Sequence, residues 1–174
     1  MAQSSSGFGI PRDRVLVSSY EVAAAADRVT ETVAQTTHIT KHTFQPFDLA
    51  VGDSVDITAI FNIPSANSTD TITVWGYLDG NVLLGMNASD PINSGQALAW
   101  DARLYVTAIG ASGSVHCVAG RGMAFYSTTG APAVDFAVDM SAAWDLTFRS
   151  QWSVANASNI VDLRAIYVRV NRGG

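Results

Sequence analysis

The stretch LAWDARLYVTA, residues 98–108, sets Leu98, Trp100, Ala102, Leu104, Val106 and Ala108 in strict alternation with Ala99, Asp101, Arg103, Tyr105 and Thr107. Successive side chains of a strand point to opposite faces, so this rhythm describes one dry face and one wet face and fits no helix. The same period returns at Val55, Ile57, Ala59 and Phe61, at Trp144, Leu146 and Phe148, and at Ile166, Val168 and Val170. Turn chemistry separates these runs: Asp79-Gly80 divides TITVWGYL from NVLLGM as in a tight hairpin, and GASG follows residue 109. About eight such strands, with no long helix between them, exclude a parallel α/β sheet. The pattern predicts an all-β fold, an antiparallel β-sandwich of jelly-roll type over residues 36–172.

Residues 1–35 read differently. MAQSSSG is followed by Ile10-Pro11 and a short VLV patch, which gives an extended N-terminal arm with no core of its own. Ser18 and Glu21 have the spacing of a capping box, and Val22, Ala26, Val29 and Val33 have that of a helical stripe. These predict at most one short helix near 19–28, with strand structure from about Thr36. A chain of 174 residues fits one domain plus a modest appendage. With 48% hydrophobic and only 14% charged residues, it must bury much of its surface or cover it with further subunits. The net charge of −5 argues against binding nucleic acid through a basic field. The N-terminus lacks the layout of a signal peptide, and no apolar run reaches the ~18 residues of a membrane helix, so the expectation is a soluble protein made in a cytoplasm, with no membrane partner. Three Asn-X-Ser/Thr triplets, at Asn67, Asn87 and Asn156, are read as chance.

Asp101, His116, Cys117 and Arg121 are the residues that invite an enzymatic reading. A nucleophilic cysteine must share a pocket with its base. As strand neighbours, Cys117 and His116 point to opposite faces, Cys117 inward with Val115 and Ala119. The grouping therefore reads as a hairpin with an inert buried thiol. One cysteine provides neither an intrachain disulfide nor a zinc framework. His38 and His42, four apart in THITKH, lie in a Thr/Ile context that favours strand over helix; two ligands without a third are no metal site, and they are read as a polar strand face near a loop. GASGS departs from the G-x-S-x-G nucleophile elbow and joins two strands. The aspartates single out no carboxylate pair of the kind glycosidases use. Tyr77, Tyr105 and Tyr126 are expected to be exposed, more as packing between subunits than as sugar platforms. Neither catalytic residues, nor a metal, nor a cofactor is expected.

Several segments, in order, resemble a β-sandwich module of tailed-bacteriophage virion proteins: the Thr-rich opening TVAQTTHITKHTFQPFDLAVGDSVDITA, then YLDGNVLLG, WDARLYVTAIGASGS, FYSTTGAP and QWSVANASNIVDLRAIYV, the resemblance covering roughly residues 33–170. The Ala-rich segment and the arm before it match nothing in that pattern. The resemblance implies a jelly roll, often homotrimeric, serving as a capsid decoration or cement protein or as a module of tail fibres and spikes. It brings no catalytic residues.

Because the chain is one module and an arm, the expectation is a cement protein that binds the outer capsid surface as a homotrimer and stabilises the shell of its virion against internal DNA pressure. The arm residues Phe8, Ile10, Arg12 and Arg14 are the candidates for contact with the major capsid protein. Tyr105, Tyr126 and Tyr167 are the candidates for the trimer interface. The alternative is a tail-fibre or spike tip that binds a host-surface glycan; a lectin or small glycosidase outside any virion is a third class.

Overall fold

The computed structural model describes residues 16–46, 48–88, 91–119, 126–129 and 133–173. These form thirteen strands: β1 (Leu16–Glu21), β2 (Arg28–Thr30), β3 (Thr36–Thr37), β4 (His42–Phe44), β5 (Ser54–Ser65), β6 (Ile72–Leu78), β7 (Asn81–Ala88), β8 (Gln96–Ala108), β9 (Gly113–Ala119), β10 (Tyr126–Thr129), β11 (Ala133–Val138), β12 (Trp144–Trp152) and β13 (Ile160–Asn171). The first sheet runs β1-β13-β5-β8-β9-β11, with β2 also on β13. The second runs β10-β7-β6-β12-β3, with β4 also on β12.

The pairings are nested. β6 pairs with β7, β5 with β8, β4 with β12 and β2 with β13, all antiparallel. The chain is thus one long ribbon doubled back at the β6–β7 turn, and successive pairs of that ribbon fall in alternate sheets. That wrapping is a two-sheet jelly roll. The tip of the ribbon is Asp79-Gly80, with φ of 46° and 79°. Two positive φ values make a primed hairpin turn whose twist matches its strands. Strands β9, β10 and β11 extend the sheets beyond β8 and β7.

The alternation read from residues 98–108 holds. Leu98, Trp100, Ala102, Leu104 and Val106 are buried, and so are Val55, Ile57, Ala59, Phe61 and Ile63 on the neighbouring β5. Trp100 spans the gap between the layers. Its indole meets Phe148 of the opposite sheet edge to face, with centroids 5.2 Å apart, and lies against the backbone of Gly76 on β6.

The helix expected near 19–28 is absent: that segment is β1, a turn over residues 24–27, and the start of β2. Ala25 adopts a φ of 64°, which no right-handed helix contains. Ser18 and Glu21, spaced like a capping box, instead face Val168 and Ala165 across the β1–β13 ladder. A helix this short has little stability alone, whereas the twelve-residue β13 offers a full edge of backbone partners. The boundary expected at residue 35 shifts accordingly, since β1 and β2 belong to the first sheet and Val29 is buried in the common core. Phe8, Ile10, Arg12 and Arg14 lie outside the described residues.

Candidate functional site

The polar residues of β8 and β9 separate as strand geometry requires. Cys117 is buried, and burial pushes its thiol up to about 11. His116 points the other way, its Nδ1 2.8 Å from the Asp135 carboxylate on β11. Asp101, on the same outer face, accepts the Thr58 hydroxyl.

His38 and His42 are not the polar strand face expected of them: both are buried. His38 sits between β3 and β4, its ring edge on Phe61. Its Nδ1 is 3.0 Å from Asp27 Oδ1, and its Nε2 is 3.1 Å from Ser150 Oγ. Asp27 also accepts the backbone N–H groups of Ile39 and Thr40, at 3.0 and 2.7 Å. The carbonyl of Asp27 accepts from Leu163 on β13, while the N–H of His38 donates to Phe148 on β12. The chain Asp27–His38–Ser150 therefore ties the margin of the first sheet to the second.

Serine, imidazole and carboxylate stand here in the bonding order of a hydrolase triad, and sequence reasoning missed it. Its setting decides its chemistry. Ser150 is 0% exposed and shares the inward phase of β12 with Trp144, Leu146, Phe148 and Trp152. With Ser150, His38 and Asp27 all buried, no acyl group reaches that hydroxyl unless the sandwich opens. A thiol reagent at Cys117 and a fluorophosphonate at Ser150 are both expected to leave the folded protein unlabelled, and unfolding in urea should release Cys117 alone; mass spectrometry of the treated protein checks this. Among the described residues, no three His, Cys, Asp or Glu side chains gather to hold a metal ion.

Buried aspartates also fix the margins. Asp53 accepts from the N–H groups of Ala50 and Gly173 and from the Arg172 guanidinium, which fastens the end of β13 to the loop before β5. Asp162 holds Arg28 in a fork at 2.7 and 2.9 Å. Burial pushes the Asp27 and Asp53 carboxyls up, but their several accepted bonds outweigh it and leave both below the ordinary value. The Arg28 bond, against burial, lowers Asp162. Burial lowers His42 against the pull of Asp48 and Asp145. In every case the folded state binds fewer protons than the unfolded chain, so stability falls as pH falls. His42 should withdraw stability below about pH 6.5, and the carboxylates as pH drops below about 4 and through their lowered values. Urea midpoints measured from pH 8 to 3 should stay level, decline modestly through 6, then collapse below 4.

Among the exposed large apolar side chains, Val33, Ile39 and Val51 stand in loops, whereas Tyr105, Val118 and Tyr167 share the outer face of the first sheet. Along it run the cross-strand rows Asn171–Ser54–Tyr105–His116–Asp135, Arg169–Asp56–Arg103–Val118 and Tyr167–Thr58–Asp101. Two charge pairs close within the face, Asp56 with Arg103 and His116 with Asp135; Asp56 also accepts from Asn171 and Asp101 from the Thr58 hydroxyl. Between these pairs stand Tyr105, Tyr167 and Val118, at 39%, 40% and 38% exposure. Leu16, the first residue of β1, faces Val170 at the end of the sheet that also carries Tyr105. Tyr126 is placed elsewhere, on β10 at the margin of the second sheet. The three tyrosines thus belong to both sheets. Tyr77, expected to be exposed, is 5% exposed beneath Arg149 and donates its hydroxyl to Gln35 at 2.6 Å.

No known family matches the chain, and comparison with the curated proteins gives no match. Among solved structures, lectin II of Ulex europaeus complexed with galactose is similar over 90% of this chain and 92% of its own, at 11% identity and a TM-score of 0.32. The lectin of Bauhinia forficata in complex with GalNAc is similar over 92% and 100%, at 8% identity and 0.33. A structure of infectious bursal disease virus, Gx strain, is similar over 93% of this chain and 34% of the viral chain, at 12% identity and 0.41. Likeness this distant carries no argument about function, and the jelly roll rests on the strand order itself.

Proposed function

We propose that the chain is a capsid decoration protein of a tailed bacteriophage, which binds the outer shell as a homotrimer and stabilises it against internal DNA pressure. The observation that supports this reading best is the outer face of the first sheet. Asp56 is paired with Arg103 and His116 with Asp135; Tyr105, Tyr167 and Val118 are exposed; and β1 pairs at the margin of the sheet. Partners that bury such a face remove apolar area while these two pairs keep their own partners. In this reading Tyr105, Tyr126 and Tyr167 make the trimer contact; a closed threefold contact joins two different patches, so its residues need not come from one sheet. The arm, through Phe8, Ile10, Arg12 and Arg14, reaches the major capsid protein. Each seated trimer then favours the assembled shell over separated subunits by linkage, and three arms per trimer multiply modest contacts.

Light scattering should give three times the chain mass for the full protein. Since β1 begins at Leu16, deletion of residues 1–14 spares the sandwich. It should leave the trimer intact and abolish co-sedimentation with shells stripped of the protein. Tyr105→Ala with Tyr167→Ala should instead release monomers. Undiminished shell binding by the truncated protein would remove the arm from the mechanism, and a monomer at all concentrations would remove the trimer.

A further inference from the structure

The outer face of the second sheet carries a cation for which no described residue supplies a counter-ion. Arg28, Lys41, Arg103 and Arg172 each hold an aspartate. Arg149, in the middle of β12, holds no acceptor among the described residues, and its Nε is cut off from solvent with no hydrogen-bond partner. Its guanidinium carbon lies 4.0 Å over the Tyr77 ring, which is itself fixed through Gln35, so the charge is held in place by stacking and not by a counter-ion. A guanidinium with five N–H groups and one face on an aromatic ring is prepared for an anion.

Its neighbours narrow the kind of anion. Across the ladder from Arg149 stand Thr37 on one side and Trp75 on the other, and across from Trp75 stands Gly85, which has no side chain. Trp75 is half-buried and has no side chain directly opposite it on β7. Thr73 and Gln151 form the next pair along the face and Thr147 precedes Arg149, all neutral hydrogen-bonding groups. The nearest carboxylate on this strand, Asp145, is four residues away, about 13 Å along the strand, and is occupied by Lys41 and Thr43. An aromatic shelf, one unneutralised guanidinium and a surround of amides and hydroxyls match a polyhydroxylated ring bearing one carboxylate. A peptide carboxylate would use the arginine but leave the shelf and the amides idle.

We infer that the outer face of the second sheet binds an acidic saccharide, its carboxylate on Arg149 and its pyranose face on Trp75. The site is separate from the first-sheet face and does not depend on the shell reading, since it acts equally on a free or a seated protein. It is tested on the full chain with trigalacturonic acid and 3′-sialyllactose as probes, and with lactose and hexaglutamate as comparisons, following the indole N–H of Trp75 by NMR. At least one acidic sugar should bind and shift that signal, with lactose at least 10-fold weaker. Arg149→Gln and Trp75→Ala should each weaken binding at least 10-fold, while Arg149→Lys, which keeps the charge but not the planar stacked fork, should weaken it less than Arg149→Gln. Circular dichroism verifies that each variant is folded. The inference is overturned if neither acidic sugar binds at millimolar concentration, if binding survives both Arg149→Gln and Trp75→Ala, or if hexaglutamate binds as tightly as the sugars.

Discussion

Gly76→Ala should destabilise the protein by on the order of 3 kcal/mol, the upper range for forcing an extra methyl into a packed core. A Cβ at Gly76 would stand 2.6 Å from Cη2 and 2.9 Å from Cε2 of Trp100, and closer still to Cζ2. The indole cannot retreat, because it is fully buried and set edge to face on Phe148. Gly76 in turn sits mid-strand between Phe148 and Leu84, so its backbone is held on both sides. Glycine is needed here for the thickness of the sandwich: the two layers approach closely where the largest side chain crosses. Trp100→Ala alone should cost about 3–5 kcal/mol through the cavity it leaves. In that background Gly76→Ala should be nearly neutral, a coupling of about 3 kcal/mol in a double-mutant cycle read from urea midpoints. Strictly additive losses would mean that the two residues do not share this space.

Asp27→Ala is the second large effect, about 3–5 kcal/mol, the cost of breaking a buried hydrogen-bonded charge site. The substitution strands the buried His38 imidazole and removes the acceptor of the Ile39 and Thr40 N–H groups. Ser150→Ala removes only the far end of the relay and should cost about 1 kcal/mol. A structural clamp predicts that ordering, with Asp27 dominant and Ser150 minor. Equal losses at the two positions, or less than about 1 kcal/mol at Asp27, would show that the margin of the sandwich is held by something else. Urea unfolding at pH 7 distinguishes these results.

The sandwich was legible because its strands are half-buried, and half-burial writes period two into the sequence. Residues 98–108 and 144–152 show it most plainly, and the Asp79-Gly80 tip follows from turn chemistry alone. What stayed hidden depends on contacts distant in sequence. Nothing within residues 16–30 says that β13, more than a hundred residues later, will accept them as strands; read locally, Ser18, Glu21 and four alanines favour a helix. His38 looked like part of a polar strand face because its partners, Asp27 and Ser150, lie 11 and 112 residues away. One signal was present: Ser150 occupies an inward position in the rhythm of Trp144, Leu146, Phe148 and Trp152, and a hydroxyl in that phase requires a buried partner. Arg149 and Trp75 likewise become neighbours only through the β6–β12 register. The separation of Cys117 from His116 needed strand alternation and nothing more.

The central claim is that an adhesive jelly roll sits on a virus shell, and cryo-electron microscopy of particles purified from the source of the protein tests it most directly. The proposal predicts trimeric density of two-layered β subunits on the outer capsid surface, lost from particles made without the protein and restored when it is added back. Density confined to the tail, or particles with and without the protein that share the same bare shell, would contradict it.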